Sequence, residues 1–165
     1  PMYKGIVGVE NLNSELQGLF NPQGEPIRQG LGSLRLGDKV MQVRNNYEKE
    51  VFNGDVGYVR HIELETQEMI IEFDGKPVEY QFGELDEVAL AYAVSIHKSQ
   101  GSEYPAVVIP IMMQHYMMLR RNLLYTGITR GRKMVVLVGQ KKAIGMAVKG
   151  RVEGRRWSKL QEWLL

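Results

Sequence analysis

The residues able to do chemistry in this chain gather in two polar clusters. Ala93–Pro105 (AVSIHKSQGSEYP) sets Ser95, His97, Lys98, Ser99, Gln100, Gly101 and Glu103 between two apolar runs. Tyr125–Lys133 (YTGITRGRK) sets Arg130 just ahead of a third. A polar turn between buried strands falls at the carboxyl end of a sheet, where α/β proteins place ligands. Cationic groups in such a place suit the phosphate oxygens of a nucleotide or a nucleic acid. Lys4 is a further candidate. It stands just ahead of an expected helix start, where backbone amides and the helix dipole favour an anion.

The elements that must position these groups follow from periodicity. Gly8–Phe20 predicts a helix, with Val9, Leu12, Leu16, Leu19 and Phe20 on one stripe and Asn11, Asn13, Glu15 and Gln17 largely opposite. Asn21-Pro22 ends it, because proline disfavours helical geometry in the residue before it. Asn21–Ser33, rich in Gly, Pro and Gln, reads as a connector. Asp38–Arg44, Gly57–Leu64, Glu68–Phe73 and Pro77–Phe82 read as short strands, separated by the turn signals Asn53-Gly54-Asp55 and Asp74-Gly75. They predict a small antiparallel barrel over residues 34–89, with Glu63, Glu65, Glu68 and Glu72 on its solvated face.

From Val88 the pattern becomes α/β. Ala89–Ile96, Ala106–Ile111 and Met134–Val138 read as buried strands, the last of parallel-sheet type, and Met112–Arg130 as a helix. Met112, Met113, Met117 and Met118 are expected to pack in the core or between helices. At about 100° per residue, Arg130 falls within the apolar arc of Tyr116, Leu119 and Leu123. An arginine there needs a carboxylate or a phosphate, because an unpaired buried charge is very costly. The chain closes on a basic stretch and the short amphipathic segment Trp157–Leu165.

Composition bounds the class. A 44% hydrophobic fraction and 24% charged residues describe a globular chain with room for one domain and a small insertion. With no cysteine there is neither a disulfide framework nor a thiolate metal site. His61 and His115 lack partners at metal-ligand spacing, so no protein-bound metal is expected. Net charge is +2, unevenly placed: residues 34–90 hold 6 basic and 13 acidic groups, and residues 91–165 hold 13 basic and 3 acidic. The basic part is the one expected to meet phosphates. The start at Pro1, without an initiator Met, suggests a piece of a longer protein.

With these residues in view, a resemblance is specific. His97–Pro105 (HKSQGSEYP) resembles motif V of superfamily-1 DNA helicases, and Asn122–Arg132 (NLLYTGITRGR) resembles motif VI. Lys39–Gly57 resembles the start of the SH3-like barrel of RecD-type helicases, and Pro1–Pro22 their motif IV region. The resemblance implies an α/β fold: a second RecA-like motor domain formed by residues 1–33 and 90–165, interrupted by an SH3-like barrel at 34–89. It implies that Arg130 reaches the γ-phosphate of ATP bound to the partner RecA-like domain, as an arginine finger. Gln100, Gly101, Glu103 and Lys4 would lie on the nucleotide side, and Ser95, His97, Lys98 and Ser99 on the side of single-stranded DNA.

No G-x-x-x-x-G-K-[ST] phosphate loop occurs in the chain. The resemblance assigns that loop, and the acidic residues that hold Mg²⁺, to the first RecA-like domain. This chain alone is therefore expected to be inactive. The implied setting is the bacterial cytoplasm, in DNA recombination and repair, with nuclease or helicase subunits as further partners and no membrane. Two other readings share the motifs or parts of them: the helicase portion of a conjugative relaxase or phage-type helicase, and a non-catalytic module binding nucleic acid or protein.

Overall fold

The structure, a computed structural model, describes residues 5–23, 27–29 and 32–150. These fall into two compact units that divide between Glu103 and Tyr104. Lys4 and the amphipathic segment Trp157–Leu165 lie outside the described residues.

The first unit opens with α1 (Val9–Phe20), which ends at Asn21, whose amide donates to the Gln17 carbonyl. Its docking face is not the expected one. Asn13 and Gln17 are buried, Leu12 and Leu16 are half-buried, and Leu19 and Phe20 are more than 60% exposed. The physical reason is polar: both buried amides find hydrogen-bond partners that no apolar side chain could satisfy. Within the stretch read as a connector, β1 (Ile27–Gln29) and β2 (Gly32–Leu34) form a short antiparallel pair.

A five-stranded antiparallel sheet follows, in the order β6-β5-β4-β3-β7. Its strands are β3 (Lys39–Gln42), β4 (Val56–Glu63), β5 (Glu68–Phe73), β6 (Lys76–Gln81) and β7 (Val88–Leu90). Alternation decides the faces. Val59 on β4, Met69, Ile71 and Phe73 on β5, and Val78 and Tyr80 on β6 all turn inward. Gly57 lets β4 and β5 approach closely, since a Cβ there would lie 2.7 Å from the Glu72 carbonyl oxygen. A 3-10 turn, Phe82–Glu87, drops Phe82 and Leu85 into the same core. The core also carries a polar thread: the Tyr80 hydroxyl donates to Gln42 Oε1, and Gln42 Nε2 donates to Glu87.

The expected strand Ala89–Ile96 is shorter. It ends at Leu90, and residues 91–102 are turns and coil. The backbone of Ala93 bonds to a side chain of α1 instead of a neighbouring strand.

The second unit is built on β8 (Tyr104–Ile111) and β9 (Gly131–Gly139), which pair in parallel. The connection between them is not one helix. It is a 3-10 turn, Met113–Met118, then a break, then α2 (Arg121–Ile128). Leu119 is buried at the break, Arg120 is extended, and the Arg121 amide donates to the Gly150 carbonyl. Anchoring Leu119 in the core and Arg121 on Gly150 restarts the helix. A continuous helical arc from Tyr116 to Arg130 therefore does not exist, and Arg130 lies just past the end of α2. Met117 is likewise exposed rather than packed.

A further helix, α3 (Lys141–Lys149), follows β9. Ile109, Ile111, Leu119, Ala143 and Ala147 form the core of this unit, flanked by Val107, Val135 and Leu137. The alternate positions Val108, Met134, Val136 and Val138 are exposed on the opposite face of the strand pair.

Candidate functional site

The polar loop that follows β7 is assembled from its own backbone. The Ser99 amide donates to Ser95 O at 3.1 Å, Gln100 to His97 O at 3.3 Å and Ser102 to Ser99 O at 3.2 Å. Two serine hydroxyls reinforce this turn. Ser95 Oγ accepts from the Lys98 amide at 3.3 Å, and Ser99 Oγ donates to Ile96 O at 2.8 Å. Short hydroxyl side chains commonly serve such local backbone bonds. Gly101 closes the turn with φ +88°, a conformation that a side chain would strain. As a result His97, Lys98, Gln100, Gly101 and Glu103 face outward, Ser95 is half-buried and Ser99 is buried.

Three consecutive residues hold the loop's start. Ala91 donates its amide to Lys39 O at 2.8 Å. Tyr92 donates its hydroxyl to Asp38 Oδ1 at 3.0 Å. Ala93 donates to Asn13 Oδ1 and accepts from Asn13 Nδ2, each at 2.8 Å. Asp38 is fully buried and also accepts from Gln17 Nε2 at 2.6 Å, Asn21 Nδ2 at 2.7 Å and the Arg35 amide at 2.7 Å. Burial, followed by the nearby charge of Asp38, pushes the Tyr92 hydroxyl above its ordinary pKa, so it remains a donor.

Arg130 belongs to the second unit. Its Nε donates to Thr126 O at 3.1 Å and one terminal nitrogen to Thr129 Oγ1 at 3.1 Å, while its carbonyl accepts from the Tyr104 amide. The guanidinium is half-buried and braced against the end of α2. The structure thus gathers Ser95, His97, Lys98, Ser99, Gln100, Gly101 and Glu103 in one loop of the first unit, and carries Arg130 in the second.

Asn13, Gln17, Asp38 and Tyr92 escaped the sequence reading. The available signal was the spacing Asn13, Gln17, Asn21, a stripe of amides at helical intervals as regular as the apolar one. Among the described residues no group of three or more His, Asp or Glu side chains could hold a metal ion, and no helix is long and apolar enough to cross a membrane.

Comparison with known proteins now fixes the class. Residues 90–138 match the UvrD-like helicase C-terminal domain, and residues 12–73 match the SH3 domain of ATP-dependent RecD-like DNA helicases. The Pif1 helicase from Bacteroides, solved in complex with ADP-AlF3 and single-stranded DNA, superposes with a TM-score of 0.63 at 21% identity, over 85% of this chain and 39% of that one. The fold is therefore the RecA-like helicase fold with an SH3-like barrel.

Within that class the chain belongs to the RecD-like DNA helicases. It is 38% identical over 161 residues to the ATP-dependent RecD2 DNA helicase of Deinococcus radiodurans, covering 98% of this chain and 22% of the relative. It is 30% identical over 146 residues to the RecBCD enzyme subunit RecD of Mycolicibacterium smegmatis, covering 88% of this chain and 25% of the relative. The chain thus spans about a fifth to a quarter of the length of these curated relatives.

Proposed function

We propose that this chain is the second motor domain of a helicase that couples ATP hydrolysis to movement along single-stranded DNA and to duplex unwinding, in recombination or repair. The observation that carries the reading is the Ser95–Ser102 turn, which uses the Ser95 and Ser99 hydroxyls internally and turns His97 and Lys98 outward. An imidazole and an ammonium so placed suit contacts to the phosphate backbone, which carry no sequence information. Ser95 and Ser99 serve the same surface by shaping it.

On the other flank, Gly101 allows close backbone approach to a nucleotide, Glu103 can accept from a ribose hydroxyl, and Gln100 contributes to that side. Arg130 is the group that neutralises charge on the transferred phosphoryl oxygens of ATP held by a first RecA-like domain, which also holds the Mg²⁺. Its bonds to Thr126 and Thr129 brace the side chain in advance. Lys4 is assigned to the nucleotide phosphates. In this reading residues 1–33 and 90–165 are the motor domain, residues 34–89 are the inserted barrel, and the protein works in the cytoplasm, alone or with nuclease and helicase subunits.

The test is Arg130→Ala in the intact parent helicase. DNA-stimulated ATP turnover should fall by about 10³-fold or more with DNA affinity retained. Near-normal turnover in that variant removes the arginine-finger role.

A further inference from the structure

α1 docks in a way that hydrophobic burial does not explain. It buries Asn13 and Gln17 while leaving Leu19 and Phe20 largely exposed. Apolar contact is non-directional and tolerates sliding, whereas a hydrogen bond fixes distance and angle. The Asn13 amide engages both backbone groups of Ala93, which is what a neighbouring strand would otherwise do. One residue earlier, Tyr92 is tied to Asp38, whose carboxylate also collects Gln17 and Asn21 from α1 and its end. Two residues after the clamp, Ser95 opens the turn that displays His97 and Lys98.

We propose that Asn13 and Asp38 are positioning residues: through Ala93 and Tyr92 they fix the start of the Ser95–Glu103 loop against α1 and β3. The lock sets the orientation in which the loop meets its ligands. What the loop binds rests on the functional reading above; what holds it does not. Asn13 is the sharper handle, because its side chain bonds twice to the loop's own backbone and lies outside the barrel core.

The experiment uses the 165-residue chain with Asn13→Ala, Asn13→Asp and Tyr92→Phe. Amide hydrogen exchange is followed by peptide, and binding to a fluorescein-labelled oligothymidine is measured across a salt series. In Asn13→Ala, exchange over residues 93–102 should rise about tenfold or more while peptides from β4 and β5 keep their rates. Asn13→Asp keeps the acceptor for the Ala93 amide and loses the donor to its carbonyl, so it should fall between wild type and Asn13→Ala. Oligonucleotide affinity should drop about tenfold in Asn13→Ala with the salt slope unchanged, since the phosphate contacts remain and only the population of the competent loop is lost.

Unchanged exchange over residues 93–102 overturns the proposal. So does a rise shared equally by β4 and β5, which marks general loss of stability. If Asn13→Ala does not fold, Tyr92→Phe, which removes one hydroxyl and no core volume, decides by the same exchange criterion. Failure of the wild-type chain to bind the oligonucleotide at low salt removes the DNA reading and leaves the lock to be judged by exchange alone.

Discussion

His115 lies buried in the 3-10 turn after β8, with its Nε2 accepting from Gln114 Nε2 at 3.2 Å. Burial lowers its pKa below the ordinary value of 6.5, because the imidazolium loses hydration there. Protonation would also turn the accepting nitrogen into a donor facing another donor. The folded chain thus binds fewer protons at this site than the unfolded chain. The stability it contributes is complete above about pH 6.5 and declines as pH falls toward the lowered folded value. Thermal unfolding from about pH 7.5 down to about pH 5 should show this decline, and His115→Gln should flatten it. A wild-type profile that is flat over that window would show that burial is not felt by the ring. The carboxylates held low by lysine partners, Glu50 by Lys76 and Glu84 by Lys49, lose their contributions only in a separate, more acidic window.

The barrel strands illustrate what an element inherits from local pattern. Met69, Ile71 and Phe73 alternate inward, and the Asp74-Gly75 turn sets the register with β6, so both were legible from adjacent residues. Ile71→Ala should cost about 2–5 kcal/mol in denaturant unfolding, because it opens a cavity in a closed core. Met117→Ala should stay within about 0.5 kcal/mol, although both residues sit in apolar runs. An equal cost at the two positions would mean that Met117 is packed after all.

Other elements depend on distant residues and could not be read locally. The break between Met118 and Arg121 is held by Gly150, about thirty positions away, while every residue around it is compatible with helix. Ala91–Ile96 has strand-like composition, yet Ala93 finds its partner in the Asn13 side chain, 80 positions earlier. The polar loop was legible because its hydrogen bonds join residues only three or four apart. The amide stripe that holds it was not, since an Asn on a helix surface looks the same whether it meets water or a backbone.

Across the whole chain, charge divides the labour. Residues 34–90 carry a net −7, whereas residues 91–165 carry +10. The barrel's cations are largely committed: Arg44 pairs with Asp86, Lys49 with Glu84, Arg60 with Glu72 and Lys76 with Glu50. An acidic barrel repels phosphates at long range, so the nucleic-acid contact proposed above is assigned to the loop and the basic part that follows it. Lys98 is exposed and has no acidic partner within salt-bridge distance among the described residues. Lys98→Gln should therefore weaken oligothymidine binding and reduce the slope of log affinity against log salt by about one. Arg60→Gln should leave both quantities unchanged. A reduced slope in Arg60→Gln equal to that in Lys98→Gln would place the barrel against the phosphates and overturn the division of charge as an account of binding.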